Sequence, residues 1–288
     1  MISVQPGSGP TVLRILLGSQ LRRLREAKGI TREEAGYAIR ASDSKISRME
    51  LGRVSFKERD VTDLLQMYGV DEAERASLVS LAKQANSPGW WHKYGDVLPD
   101  WFQVYVGLEE AASLIRLYEV QFVPGLLQSA EYARAVISVG NPRGVPEETE
   151  RKLSLRMARQ ELLAKPGGPR LWAVVDEAAL RRPIGGRKVM RGQLERLIGA
   201  AGEPNITLQV MPFRSGGHAA EAGAFTVMRF PEADLPDIVY LEQLTSALYL
   251  DKREDVETYT EVMERLTVES ESPERTIEIL SGMLEEVS

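Results

Sequence analysis

The chain has 288 residues, 43% of them hydrophobic and 27% charged, with a net charge of −6, a length and composition that fit one large globular domain or two of ordinary size. It has no cysteine and two histidines, His92 and His218, which excludes disulfides, thiolate nucleophiles and cysteine zinc sites and leaves little for a metal centre; no cofactor is expected. The Gly/Pro/Ser-rich residues 1–10 lack a basic leader region and read as a disordered N-terminus, and Arg14 breaks the apolar run that follows, so no secretory signal or membrane span is expected and the protein is placed in the cytoplasm.

From residue 11 the pattern is helical. Leu17, Leu21, Leu24 and Ala27 form the stripe of an amphipathic helix closed by Lys28-Gly29, with Arg22, Arg23, Arg25 and Lys28 read as its solvated cations. Thr31 and Glu34 make a capping box for a second helix from Arg32 to Ile39. After the turn Arg40-Ala41-Ser42, Ser42 caps a third helix whose inward positions are Ile46 and Met49 and which ends near Leu51-Gly52. Val61, Leu64, Leu65 and Tyr68 mark a fourth, and residues 71–84 a fifth. Residues 11–86 thus predict an all-α, five-helix domain.

Asn86-Ser87-Pro88-Gly89 is the clearest break, and residues 87–288 read as a separate mixed α/β domain. Six of the 19 aromatics fall within residues 90–105; among them Trp90, Trp91, Trp101 and Phe102 either line a ligand or partner site or a hinge, or are ordinary core. Helical patterns follow at 107–118, 129–139, 148–164 and 187–200, with strands at 171–175, 206–211, 225–230 and 238–241. A helix through Val256 and Leu266 and one opened by Ser272-Pro273 complete the domain.

Charge is placed unevenly. Residues 11–60 carry twelve Lys and Arg against seven Asp and Glu, a net of +5 that leaves −11 on the rest. A basic module joined to an acidic body predicts an anionic partner for the module alone. Two short helices joined by a three-residue turn, the second presenting small polar side chains, are the pattern of a DNA-reading helix-turn-helix. A helix entering a major groove about 12 Å wide needs short side chains in its first turn and a longer donor one turn on. With Ile46 and Met49 inward, Asp43, Ser44, Ser47 and Arg48 face out as base readers, Arg48 with a fork for guanine; Asp43 equally suits a capping role. Thr31 and Arg32 at the start of the second helix, with Ser42, Lys45 and Arg53, are the candidate phosphate contacts.

The segment LGSQLRRLREAKGITREEAGYAIRASDSKISRMELGR resembles the helix-turn-helix of the XRE (lambda repressor and Cro-like) family over residues 17–70. The resemblance implies that Asp43, Ser44 and Arg48 read bases and that Arg32, Ser42 and Lys45 hold the backbone. Where that turn often has glycine this chain has Arg40; a positive φ there would cost on the order of 1 kcal/mol. Over residues 90–286, motifs such as VVDEAALRRPIGG, LQVMPFRSGGHAAEAGAFTVMRF and VYLEQLTSALYL resemble a C-terminal domain of unknown function common in actinobacterial regulators of that kind. Such regulators are often antitoxin-like and encoded beside a small partner protein, which the resemblance implies as a binder.

These readings predict a nucleoid-associated transcriptional regulator that binds a double-stranded DNA operator as a homodimer, its large domain sensing a small molecule or binding a small protein. The alternative is an antitoxin-like interaction module that neutralises that partner and autoregulates its promoter. Gly216-Gly217 reads as a connecting loop rather than an anion cradle. Asp176-Glu177 with His218 suggests acid/base chemistry, but Asp176 also suits an N-cap and no nucleophile motif or phosphate loop accompanies it, so no enzymatic activity is expected.

Overall fold

The computed structural model describes residues 9–287; the expectation for residues 1–10 lies almost wholly outside them. The chain divides into two compact units, one running to His92 together with Pro231–Leu235, the other holding Lys93–Phe230 and the residues from Pro236 onward. The first unit therefore extends past the Asn86–Gly89 break. Within that extension the Trp91 ring packs so closely over Gly89 that a Cβ there would meet it at 2.4 Å.

The first unit is built of α1 (Pro10–Ala27), α2 (Arg32–Ala38), α3 (Asp43–Glu50), α4 (Glu58–Met67) and α5 (Glu72–Ala85). Proline opens α1, where its missing N–H costs nothing. Its inward row is Leu13, Leu17, Leu21 and Arg25, spaced by four, and it meets Ile46 and Met49 of α3 and Val61 and Leu65 of α4 in one core. Burying each such aliphatic side chain contributes about 1.5–3 kcal/mol. The row corrects the predicted stripe in two places: Ala27 is exposed, and Arg25, expected in solvent, is buried.

The second unit is a mixed six-stranded sheet with helices, of strand order β3-β2-β1-β4-β5-β6. β1 (Leu114–Glu119), β2 (Arg170–Asp176) and β3 (Ile206–Met211) run parallel, while β4 (Phe225–Arg229), β5 (Ile238–Glu242) and β6 (Ala247–Leu250) continue from β1 antiparallel. The helices are α6 (Asp100–Ala111), α7 (Ala130–Gly140), α8 (Pro146–Ala164), α9 (Glu177–Arg181), α10 (Arg187–Ala201), α11 (Arg253–Glu269) and α12 (Pro273–Glu286). On one face Tyr118, Val174, Phe225 and Val239 pack with Met263 and Leu266 of α11.

Two elements differ from expectation. The predicted helix over 107–118 is the end of α6 followed by β1. Leu117 and Tyr118, on opposite faces of β1, are both buried, so the strand lacks the clean alternation of a half-exposed one and is indistinguishable from helix by period alone. β6 was not expected; it is only four residues long, joined to β5 by a tight turn in which Gln243 N–H donates to Ser246 O at 2.9 Å.

The face opposite α11 carries charge. Arg159 of α8 forks onto Glu109 of α6 through two bonds of 2.7 Å, and its guanidinium stacks over Phe102 and Tyr105 at 5.0 and 5.3 Å. Arg156 donates to Gln128 at 2.8 Å, and Tyr240 donates to Glu242 at 2.9 Å. At the end of β1, burial and then the charge of Glu242 lift the Glu119 carboxyl to about 8. Its folded-state pKa is thus above the unfolded 4.5, so it costs the fold nothing at low pH and progressively more as pH rises towards 8. Glu119→Gln should therefore stabilise the protein by about 1–3 kcal/mol at pH 9, with the gain vanishing near pH 4, in thermal melts across that range.

Candidate nucleic-acid interface

The helix pair α2 and α3 is set by caps and close approaches. Thr31 Oγ1 accepts from Glu34 N–H at 3.2 Å while Thr31 N–H donates to Glu34 Oε2 at 2.7 Å, the expected capping box. Ser42 caps α3, its hydroxyl accepting from Lys45 N–H at 3.2 Å. Between them Arg40 holds φ at 54°, the one non-glycine positive φ among the described residues. Two glycines let backbones meet: a Cβ on Gly36 would lie 2.7 Å from Ala41 O across the turn, and one on Gly18 would lie 2.5 Å from Met49 O where α1 crosses α3.

The C-terminal end of α3 is fixed by charge. Glu50, 5% exposed, accepts from Arg25 of α1 on both oxygens, the Nη2 bond being 3.1 Å, and from Arg32 Nε of α2 at 3.1 Å. Arg25 also donates to Ile30 O at 2.8 Å, closing the α1–α2 connection. Hydrogen bonding to Glu50 raises the Arg25 pKa further, and burial pushes the nearby Tyr68 phenol up to about 12. Neither Arg25 nor Glu50 stood out in the sequence as a pair. The signal was the spacing, since Arg25 lies four residues beyond Leu21 on a row otherwise wholly apolar.

With Ile46 and Met49 each 1% exposed, the outer side of α3 presents Asp43, Ser44 and Arg48 to solvent and Ser47 half-buried. Arg48 rests on its own helix, Nε 3.3 Å from Ser44 O. Asp43 sits inside the first turn, and the cap is Ser42 rather than Asp43. Arg53, just past α3, is exposed.

The other phosphate candidates have internal partners: Thr31 gives both its amide and its hydroxyl to Glu34, Arg32 is held by Glu50, and the Lys45 ammonium is paired with Asp60 of α4. The Thr31 contacts in turn lower the Glu34 pKa.

In the rest of the chain the singled-out residues separate. Trp91 is buried and meets Trp90 edge-on at 6.0 Å in the first unit. In the second, half-buried Trp101 and Phe102 join a run of rings through Tyr105, Tyr240 and Tyr249, with centroid steps of 4.4–5.7 Å. Asp176 and His218 do come together, through Tyr118. The Tyr118 hydroxyl donates to Asp176 Oδ2 at 3.1 Å and lies 3.0 Å from His218 Nε2, while Ala220 N–H donates to His218 Nδ1 at 3.3 Å. That last bond places the imidazole proton on Nε2, facing Tyr118. Asp176 Oδ1 accepts from Ala178 N–H at 2.8 Å, capping α9 as expected. Gly216, at φ 68°, turns the chain after Phe213–Ser215.

The locked helix pair with its polar outer helix defines the class: a helix-turn-helix DNA-binding domain followed by an α+β body. Residues 16–78 match the family described as a helix-turn-helix domain. Residues 102–282 match the family described as a domain of unknown function (DUF5753), and the chain belongs to that family. No curated protein and no solved structure matches it. Among the described residues no helix is long and apolar enough to cross a membrane.

Two stability outcomes follow from this geometry. Glu50→Gln removes the buried counter-charge of Arg25, leaving it only the exposed Glu26 at 3.4 Å, and should cost about 3 kcal/mol in denaturant unfolding of the first unit. Arg40→Gly relieves the positive φ and should gain about 1 kcal/mol in the same measurement.

Proposed function

We propose that the protein is a transcriptional regulator that reads an operator through α3, with Asp43, Ser44, Ser47 and Arg48 at the base edges. The observation that carries this reading is the two-sidedness of α3: an inner face locked by core and buried charge, and an outer face of short polar side chains ending in the exposed Arg48. A guanidinium fork on guanine discriminates by about 1–3 kcal/mol. Arg53 and Ser42 supply phosphate contacts directly. Arg32 and Lys45 supply them by sharing charge that Glu50 and Asp60 now hold, and the first amides of α2 add a third seat.

One short helix reads only a few base pairs, so the operator is bound by a homodimer on half-sites about 34 Å apart. The second unit supplies dimerisation and the response to a small-molecule effector or a small partner protein. The protein acts in the cytoplasm, on the nucleoid, without catalysis. Both Asp176 oxygens are engaged, one by Tyr118 and one by the α9 amide, which supports a structural role for the Tyr118–Asp176–His218 group.

Arg48→Ala should lower operator affinity about tenfold or more and relax preference at one base position. Arg53→Ala should instead weaken operator and random duplexes alike and reduce the salt slope by about 1. Fluorescence anisotropy against both duplexes at several salt concentrations checks the pair; equal losses on both duplexes for Arg48→Ala would assign it to the backbone and refute the readout.

A further inference from the structure

The two edges of the sheet are treated differently. At the β3 edge the chain caps itself: Val210 N–H donates to Thr276 Oγ1 at 3.0 Å, and Val210 O accepts from Glu271 N–H at 2.9 Å. At the other edge β6 pairs with β5 alone. The turn bond from Gln243 to Ser246 sets the alternation: Leu248 and Leu250 exchange hydrogen bonds with β5, and Ala247 and Tyr249 turn their N–H and C=O groups outward. Among the described residues no turn, loop or cap backbone bond reaches those outward groups.

The side chains fit the same picture. Residues 243–250, QLTSALYL, contain no charge, no proline and no glycine. Leu244 is fully exposed and Leu248 is 54% exposed. Solvent edges are ordinarily guarded by lysine, proline or a bulge, and this one has none of them.

We infer that β6 is the dimer interface, pairing antiparallel with β6 of a second copy to run the two sheets into one; this rests on the dimeric reading proposed above. Charge selects the occupant. Residues 93–288 carry 22 Lys and Arg against 31 Asp and Glu, a net of −9, so two copies repel over most of their surface and can approach where charge is absent. A basic strand from another protein, drawn by the same field, finds no carboxylate on 243–250 to reward it. Antiparallel pairing of a strand with itself is two-fold symmetric, the symmetry that a pair of operator half-sites requires. Four residues a side give a modest contact, so the dimer is concentration-dependent and tightens on DNA, where two linked sites act together.

The absence of cysteine makes the test clean. Leu248→Cys introduces a lone thiol in the middle of the strand, and Val268→Cys, at a position 84% exposed on α11, is the control. Paired strands lie about 4.8 Å apart, within disulfide reach, so Leu248→Cys should form covalent dimer about tenfold faster than the control under the same oxidant. Leu248→Lys should weaken dimerisation about tenfold or more in sedimentation velocity, with the circular dichroism spectrum and half-site DNA binding unchanged. A wild-type chain that stays monomeric even on operator DNA overturns the dimeric reading and this assignment with it. A wild-type dimer that Leu248→Lys leaves intact, and in which residue 248 cross-links no faster than residue 268, keeps the dimer and overturns the assignment, leaving the edge to a strand of another protein.

Discussion

The arrangement of the first unit depends on one buried carboxylate. Glu50 ends α3 and holds Arg25 of α1 and Arg32 of α2 at once, so three helices converge on a single charge. Taking such groups out of water costs several kcal/mol each, and only multiple well-aligned bonds offset it. An apolar contact at this position would permit α3 to slide or roll by a fraction of a turn. Bonds to both Glu50 oxygens do not, because rotation of α3 breaks them and leaves a buried cation unmatched. The direction in which Ser44 and Arg48 point is therefore set by a contact on the opposite side of the helix.

The same accounting changes how the basic charge of the module is read. The excess of cations over residues 11–60 is a property of the sequence, but several of the cations themselves are paired internally. Arg25 and Arg32 are matched by Glu50, Lys45 by Asp60, and Arg22 by Glu26. What remains projecting around α3 is Arg48, Arg53 and Arg40, each exposed. Coulomb attraction from a few unmatched cations close to one helix end orients an anionic duplex better than a larger charge spread evenly over the surface, since screening confines each interaction to about 8–10 Å.

Much of this was legible in the sequence. The expected caps at Thr31, Ser42, Asp176 and Ser272 are side-chain caps in the structure, and Arg40, where glycine is frequent in such turns, holds a positive φ. Local chemistry of that kind needs only neighbours in the chain. What escaped depends on partners distant in sequence: Arg25 with Glu50, Lys45 with Asp60, Arg159 with Glu109, Tyr118 between Asp176 and His218. β1 escaped for a related reason, because both of its faces are covered, with neighbouring Leu117 and Tyr118 both buried, and such a strand loses the alternation that marks a half-exposed one.

On the proposed reading, a single DNA-reading helix and a short sheet edge are each weak, and that weakness would let them work as one device. Each bidentate base contact discriminates by about 1–3 kcal/mol, while specific binding exceeds non-specific binding by about 4–10 kcal/mol. One copy of α3, with Arg48 as the only long donor assigned to base edges, falls at the low end of that range, which is the deficit that the proposed second copy would meet. A dimer contact strong enough to be permanent would make operator occupancy insensitive to anything the second unit binds. A contact of marginal strength, as proposed for β6, would leave occupancy open to small changes in the body, where burial raises the pKa of Glu119 and lowers that of Arg156.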